Sequence, residues 1–353
     1  MKKVLVVIDP QKDFIISEEF KGSLGVPGAY EDMLRIAEYV QKENPEHIVV
    51  TLDTHNVFDI AHKAWWVNDN GENPSDFTII SPEDVISGKW KASNPDFQSH
   101  AEFYVQKLSE QNKYKLCVWP NHCIEGTEGH KINPELLNAL NDWEIKNSRK
   151  VEYVYKGMNH KTEHYSALKA EVVLDDEDTK LRKDLINELA NYDKIVITGE
   201  ASSHCVGGTT MDLLENMPET NRKNVIILKN CMSPVPGFEA NAEIFFDSAK
   251  KMNAEVLDFM PSKKMKMNWQ NKIFIYDCKM EHYINRTEKY HQAKQGFLAD
   301  GIFSYEETKD AISGLIIFLL KSIKDNNHFP DIDISNLQKQ NKYKDFLLKS
   351  KIY

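Results

Sequence analysis

Short β-branched runs alternate with helical patterns along roughly the first 260 residues of this chain, and that alternation leaves few folds open. The strand candidates are residues 4–8, 47–52, 115–119, 151–155, 194–198 and 224–228. Helical spacing of apolar residues falls at 30–43, 134–141, 181–191, 206–216 and 239–251. Alternation of this kind implies right-handed crossovers and a mainly parallel six-stranded sheet covered on both faces, a three-layer α/β sandwich. In such sheets the active site lies at the carboxyl ends of the strands. Reactive residue types should therefore collect there.

Two segments break the alternation. Residues 63–100 form a long, weakly periodic insertion that carries Trp65, Trp66 and Trp90, and its length and aromatic content suit a lid or site wall better than a linker. Beyond Pro261 the composition shifts to Lys, Asn and Tyr, with one strand-like run at 272–277 and one helical pattern at 305–324. The expected organisation is a catalytic domain over 1–261 and a C-terminal α/β appendage over 262–353. The apolar face of the 305–324 pattern is expected to pack on the parent domain, or else on another subunit.

Several functional classes are disfavoured at once. A formal net charge of −10 offers no electrostatic footprint for nucleic acid. No apolar run approaches the roughly 20 residues of a membrane span. The opening MKKVLVVIDP resembles the start of a secretory signal, but Asp9 and Pro10 cut its apolar stretch short, so it reads as the first strand. The five cysteines are irregularly spaced, with no CxxC pair. Neither a disulfide framework nor a thiolate zinc cage is indicated, and a reducing, cytoplasmic location is expected.

The strand ends carry the chemistry. Cys205 follows the strand candidate KIVIT and opens a helical pattern, so it sits where free N–H groups and the helix dipole favour a thiolate; as a lone cysteine it could equally be a small buried hydrophobe. Asp9 ends the first strand, where a general base belongs, although Asp also starts turns. Lys156 ends the fourth, where its charge could hold a neighbouring thiol ionised, although most lysines are solvated. Asp53 and His55 end the second, on one strand face. With His122 after the third, they would make a facial metal set that leaves positions for water and substrate. His62 could be a further ligand, a substrate contact or a packed loop histidine. Phe14, Trp65 or Trp66, and Tyr165 are candidates to sandwich a flat ring.

The motifs DPQKDF, GSLGVPGA, LDTH, WPNHCIEGTEG, VYKG with HYSAL, and GEASSHCV occur in this order over residues 1 to about 258. In them the chain resembles the cysteine hydrolases of the isochorismatase-like superfamily, and most of all the nicotinamidase family. The resemblance implies a catalytic triad of Asp9, Lys156 and Cys205, with Asp53, His55 and His122 as ligands of one divalent metal ion. Zinc is the expected ion, with iron or manganese as alternatives. Ala201 and Cys205 would supply the oxyanion-hole N–H groups, with a cis peptide before Ala201. The implied activity is hydrolysis of nicotinamide to nicotinate and ammonia through a thioester on Cys205. The same triad could instead serve another small amide or ureide, or the fold could persist in a non-catalytic binding protein. The expected partner is a small-molecule amide, with no nucleic acid or membrane, and assembly into a homo-oligomer is left open. Glu200 departs from the family pattern, which is apolar there, and Ser203 stands where an Asp is common.

Overall fold

The computed structural model describes residues 2–17 and 20–260. The composition break after Pro261, the 272–277 and 305–324 patterns and Cys278 lie outside the described residues. Six strands form one sheet: β1 (Lys3–Ile8), β2 (His47–Asp53), β3 (Glu152–Lys156), β4 (Lys194–Gly199), β5 (Val225–Leu228) and β6 (Glu255–Leu257). Their order is β6-β5-β4-β1-β2-β3, and every pairing is parallel. The central strands β1, β2 and β4 are buried almost throughout, as their unbroken Val/Ile runs require of a sheet covered on both faces.

Helices α1 (Ala29–Glu43), α2 (Gln98–Glu110), α3 (Pro134–Asn147), α4 (Lys183–Leu189), α5 (Cys205–Asn216) and α6 (Glu239–Lys251) complete the larger elements. The chain winds outward from β1 to β3, returns to β4 on the other side of β1, and winds outward again to β6. Right-handed crossovers in opposite directions place their helices on opposite faces. The winding reverses between β1 and β4, so a crevice opens at their carboxyl ends. Gly199 closes β4 at φ +109°, and a Cβ there would stand 2.0 Å from the Ile8 carbonyl oxygen. Only glycine allows β4 to leave the sheet that close to β1.

Two expectations change. The apolar run at 115–119 is not a strand of the main sheet: Leu116–Cys117 pairs antiparallel with Ile79–Ile80. It is buried from both sides, as a central strand would be, because Cys117 and Trp119 face the main core while Leu116 and Val118 face a second apolar cluster that also holds Trp65, Trp66 and Tyr104. The sixth strand is instead β6 at the sheet edge, three partly exposed residues with too little apolar signal to stand out. The 63–100 insertion supplies much of that second cluster, with short paired strands of its own. None of its residues lines the pocket at the strand ends.

Candidate active site

Asp9 takes φ +44° just past β1, a left-handed conformation that Asp tolerates better than most residues. This turns its carboxylate inward, where Oδ1 accepts the Thr51 hydroxyl at 2.6 Å. Lys156 ends β3 in register with Asp53 on β2. Its fully buried ammonium is the hub of the site. Lys156 Nζ lies 3.0 Å from Asp9 Oδ2, 2.8 Å from Asp53 Oδ1 and 3.5 Å from Cys205 Sγ, and donates to the His164 carbonyl at 2.8 Å. One carboxylate oxygen each of Asp9 and Asp53 and the Cys205 sulfur lie within 4.8 Å of one another.

Charge explains the arrangement. Burial disfavours the Lys156 cation, but Asp53 and Asp9 outweigh it and hold its proton far more tightly than in water. Burial likewise opposes ionisation of Asp53, yet His55 and Lys156 keep its carboxyl well below the usual range. Asp9 is pushed up, by burial first and by Asp53, against the pull of Lys156. For Cys205 burial dominates, and with two carboxylates nearby it raises the thiol well above its ordinary range despite Lys156. The lysine charge is shared with these carboxylates, which lessens its pull on the Cys205 proton.

Cys205 is the first residue of α5, and the peptide bond before Ala201 is cis. The N–H of Ser202 donates to the Ser233 carbonyl, and those of His204 and Val206 donate to the Ala201 carbonyl. The N–H groups of Ala201 and Cys205 have no protein acceptor among the described residues. Both residues line a pocket of roughly 330 Å³, open mouth included, with Phe14, Leu24, Asp53, Trp119, His122, Glu163, Tyr165, His204 and Val235.

Beside this pocket, Asp53, His55 and His122 offer ligand atoms within 4.8 Å of one another, all buried. His55 Nε2 is 3.2 Å and His122 Nε2 3.4 Å from Asp53 Oδ2. The outer nitrogens are occupied elsewhere: His55 Nδ1 lies 3.1 Å from Asp59 Oδ2, and His122 Nδ1 lies 2.8 Å from the Pro120 carbonyl. A ring that donates from Nδ1 presents its Nε2 lone pair inward, as a metal ligand must. Burial disfavours a proton on His55, yet Asp53 and Asp59 raise its affinity well above normal. The cluster thus demands positive charge at its centre. The donor set fits a divalent ion. His62 packs beside these rings, tilted to His55 and edge-on to His122, with Nε2 3.4 Å from His122 Nδ1, and burial with the neighbouring imidazoles pushes it down to about 2.

No family model matches the chain. It is 26% identical over 216 residues to the nicotinamidase of Saccharomyces cerevisiae, an alignment that covers 60% of this chain and 82% of that protein. The nicotinamidase/pyrazinamidase of Mycobacterium tuberculosis is also 26% identical over 216 residues, covering 61% and 80%. The chain is a relative of the nicotinamidases. The folds agree: a yeast nicotinamidase structure bound to the inhibitor nicotinaldehyde superposes with a TM-score of 0.50 at 21% identity, covering 73% of this chain and 100% of that one. A nicotinamidase structure from Acinetobacter baumanii gives 0.50 at 17% identity, covering 73% and 96%.

Within this nicotinamidase relative the expected ring contacts divide. Phe14 and Tyr165 line the pocket. Trp65 does not: it is fully buried in the second cluster, stacked on Phe58 at 4.9 Å and Phe97 at 5.0 Å. Trp66 lies there too, and its indole N–H donates to the Ile60 carbonyl at 2.8 Å. Trp119 takes the place expected of them, with its N–H donating to the Tyr165 hydroxyl at 3.1 Å. His122 comes not from a main-sheet strand but from a loop tied to the end of β2, where the His55 N–H donates to the Cys123 carbonyl at 3.0 Å. The sequence reading also passed over His204 and Glu163. His204 packs at 5.0 Å from Tyr165 and 5.2 Å from Trp119, and burial pushes it down to about 3. Glu163 stands 3.8 Å from His55 Nε2. Their positions directly before Cys205 and inside the EHYSAL run are the signals that could have found them.

Proposed function

We propose that the protein is a metal-containing cysteine amidohydrolase that converts nicotinamide to nicotinate and ammonia. The observation that carries this reading is the contact of the Lys156 ammonium with Asp9, Asp53 and Cys205, beside a pocket lined by Ala201 and Cys205, whose backbone N–H groups have no protein acceptor among the described residues. Cys205 attacks the carboxamide carbon as its proton passes to Asp9, a transfer suited to a thiol and a carboxylate whose proton affinities are both raised. Lys156 holds the two groups together and offsets the charge that develops. The Ala201 and Cys205 N–H groups receive the oxyanion. Asp9 returns the proton to the leaving ammonia, and water then hydrolyses the thioester. Phe14, Trp119 and Tyr165 supply flat apolar walls for the ring.

Asp53, His55 and His122 would hold the metal, and their mixed carboxylate and imidazole donors suit zinc. A bound divalent ion supplies a Lewis-acid position for a heteroaromatic nitrogen or a water. Chelation should remove one ion per chain, and His55→Ala and His122→Ala should each weaken metal binding by more than about tenfold. Elemental analysis that finds both purified variants fully loaded would remove these residues from the site.

Ammonia release tests the activity itself. Nicotinamide should give the highest kcat/KM in a panel with pyrazinamide, aliphatic amides and ureides. Preference for another amide would overturn the substrate, and no release from any member would overturn the amidase reading.

A further inference from the structure

The buried stripe of α1 contains one residue out of character. Asp32 sits among Ala29, Met33, Ile36 and Val40 and is 2% exposed. Glu200 faces it from the turn after β4 and is fully buried. Two carboxylates removed from water are costly unless their charge is compensated. Arg35 Nη1 donates to Asp32 Oδ1 at 2.9 Å, which offsets one negative charge. Ser233 lies between the two acids: its N–H donates to Glu200 Oε2 at 3.0 Å and its hydroxyl to Asp32 Oδ2 at 2.5 Å. Glu200 Oε1 is buried with no hydrogen-bond partner among the described residues. An ionised carboxylate would leave that oxygen unsatisfied. A protonated one turns it into a donor, and the Asp32 carboxylate, bridged to Glu200 by Ser233, is the acceptor assigned to it.

The pair is tied to the active-site turn. The Ser233 carbonyl accepts the Ser202 N–H at 2.9 Å, so Ser233 holds both ends of the Glu200–Ser202 segment. Two residues on, the N–H of Val235, a pocket wall, donates to the Ser203 hydroxyl at 3.0 Å. We propose that Glu200 and Asp32 share one proton, and that this acid pair, acting through Ser233, positions the turn that presents the Ala201 and Cys205 N–H groups. Glu200 is thus a positioning residue, and this role rests on the amidohydrolase reading. Burial, followed by the Asp32 charge, raises Glu200 well above the carboxylate range, in keeping with a retained proton. The other titratable groups around the pair, besides Arg35, are Glu31 on α1, Cys231 and, beyond Cys231, Asp258. Cys231, pushed up to about 12, stays neutral.

Infrared difference spectra of the full chain at neutral pH, unaltered protein minus Glu200→Gln, should show the carbonyl stretch of one protonated carboxylic acid. Glu200→Gln keeps an acceptor for Ser233 and a donor for Asp32, so the fold is preserved. Glu200→Ala should lower kcat about 10- to 100-fold with KM within about threefold, because the free N–H groups lose their aim. Glu200→Gln should rescue most of that loss. Should Glu200→Ala not fold, Glu200→Leu takes its place. Absence of the protonated-acid band overturns the proposal, as does an unchanged kcat in Glu200→Ala or an equal loss in both variants. If the unaltered chain hydrolyses no amide, the amidohydrolase reading falls with the positioning role, and the infrared band alone decides whether the proton is shared.

Discussion

Cys205→Ala should lower amide hydrolysis by at least about 10⁴-fold while the protein stays folded. The expected loss is this large because no other nucleophile stands where Cys205 does. Its sulfur faces the pocket 3.5 Å from the Lys156 ammonium, beside its own unused N–H and that of Ala201. Stability should change by less than about 1 kcal/mol, since alanine is a good first-turn residue and the lost sulfur, though buried, borders a pocket. Lys156 also keeps three closer partners. The measurement is steady-state ammonia release beside a thermal melt. A well-folded Cys205→Ala protein with readily measured turnover would refute the nucleophile. Cys117, Cys123 and Cys231 are buried free cysteines, with thiols raised by burial and no ammonium in hydrogen-bond contact among the described residues, so their replacement should affect rate far less.

What could be read from the sequence follows from which signals are local. Asp9, Asp53 and Lys156 each end a β-branched run, and a parallel sheet brings strand ends to one edge whatever the loops do. Their meeting around one ammonium was therefore open to inference before any coordinate. The Leu116–Cys117 run misled because burial on both sides looks the same in a central strand and in a short strand wedged between the core and a satellite cluster. The β6 strand was missed because a short, half-exposed edge strand needs little apolar sequence. Trp65 illustrates a different limit: an aromatic residue near a site can wall the pocket or support the wall from behind, and only packing against Phe58 and Phe97 decides. Asp32 could be seen as a break in the α1 stripe, but nothing in the linear chain pairs it with Glu200. That contact exists because the winding reversal sets α1 beneath the turn after β4.

Lys156→Met should abolish activity and also cost stability, in a way that depends on pH. The substitution keeps the bulk of the side chain but leaves Asp9 and Asp53 facing each other without the cation that both contact. Breaking a buried ion pair by removing one partner costs about 3–5 kcal/mol. Part of that is recovered when a freed carboxylate takes up a proton, and Asp9, whose proton affinity burial already raises, is the one to do so. A carboxylate whose folded pKa lies above its unfolded value binds more protons when folded, so stability falls as pH rises through that interval. The deficit relative to the unaltered protein should be small near pH 4 and grow towards pH 8. Adding Asp9→Asn to Lys156→Met removes one of the stranded charges, and should restore much of the stability at pH 8 but none of the activity. Thermal melts of the three proteins between pH 4 and pH 8 make the comparison. If Lys156→Met is as stable as the parent at pH 8, or if the double variant is no more stable than the single one, the lysine is not the counter-charge that holds this site together.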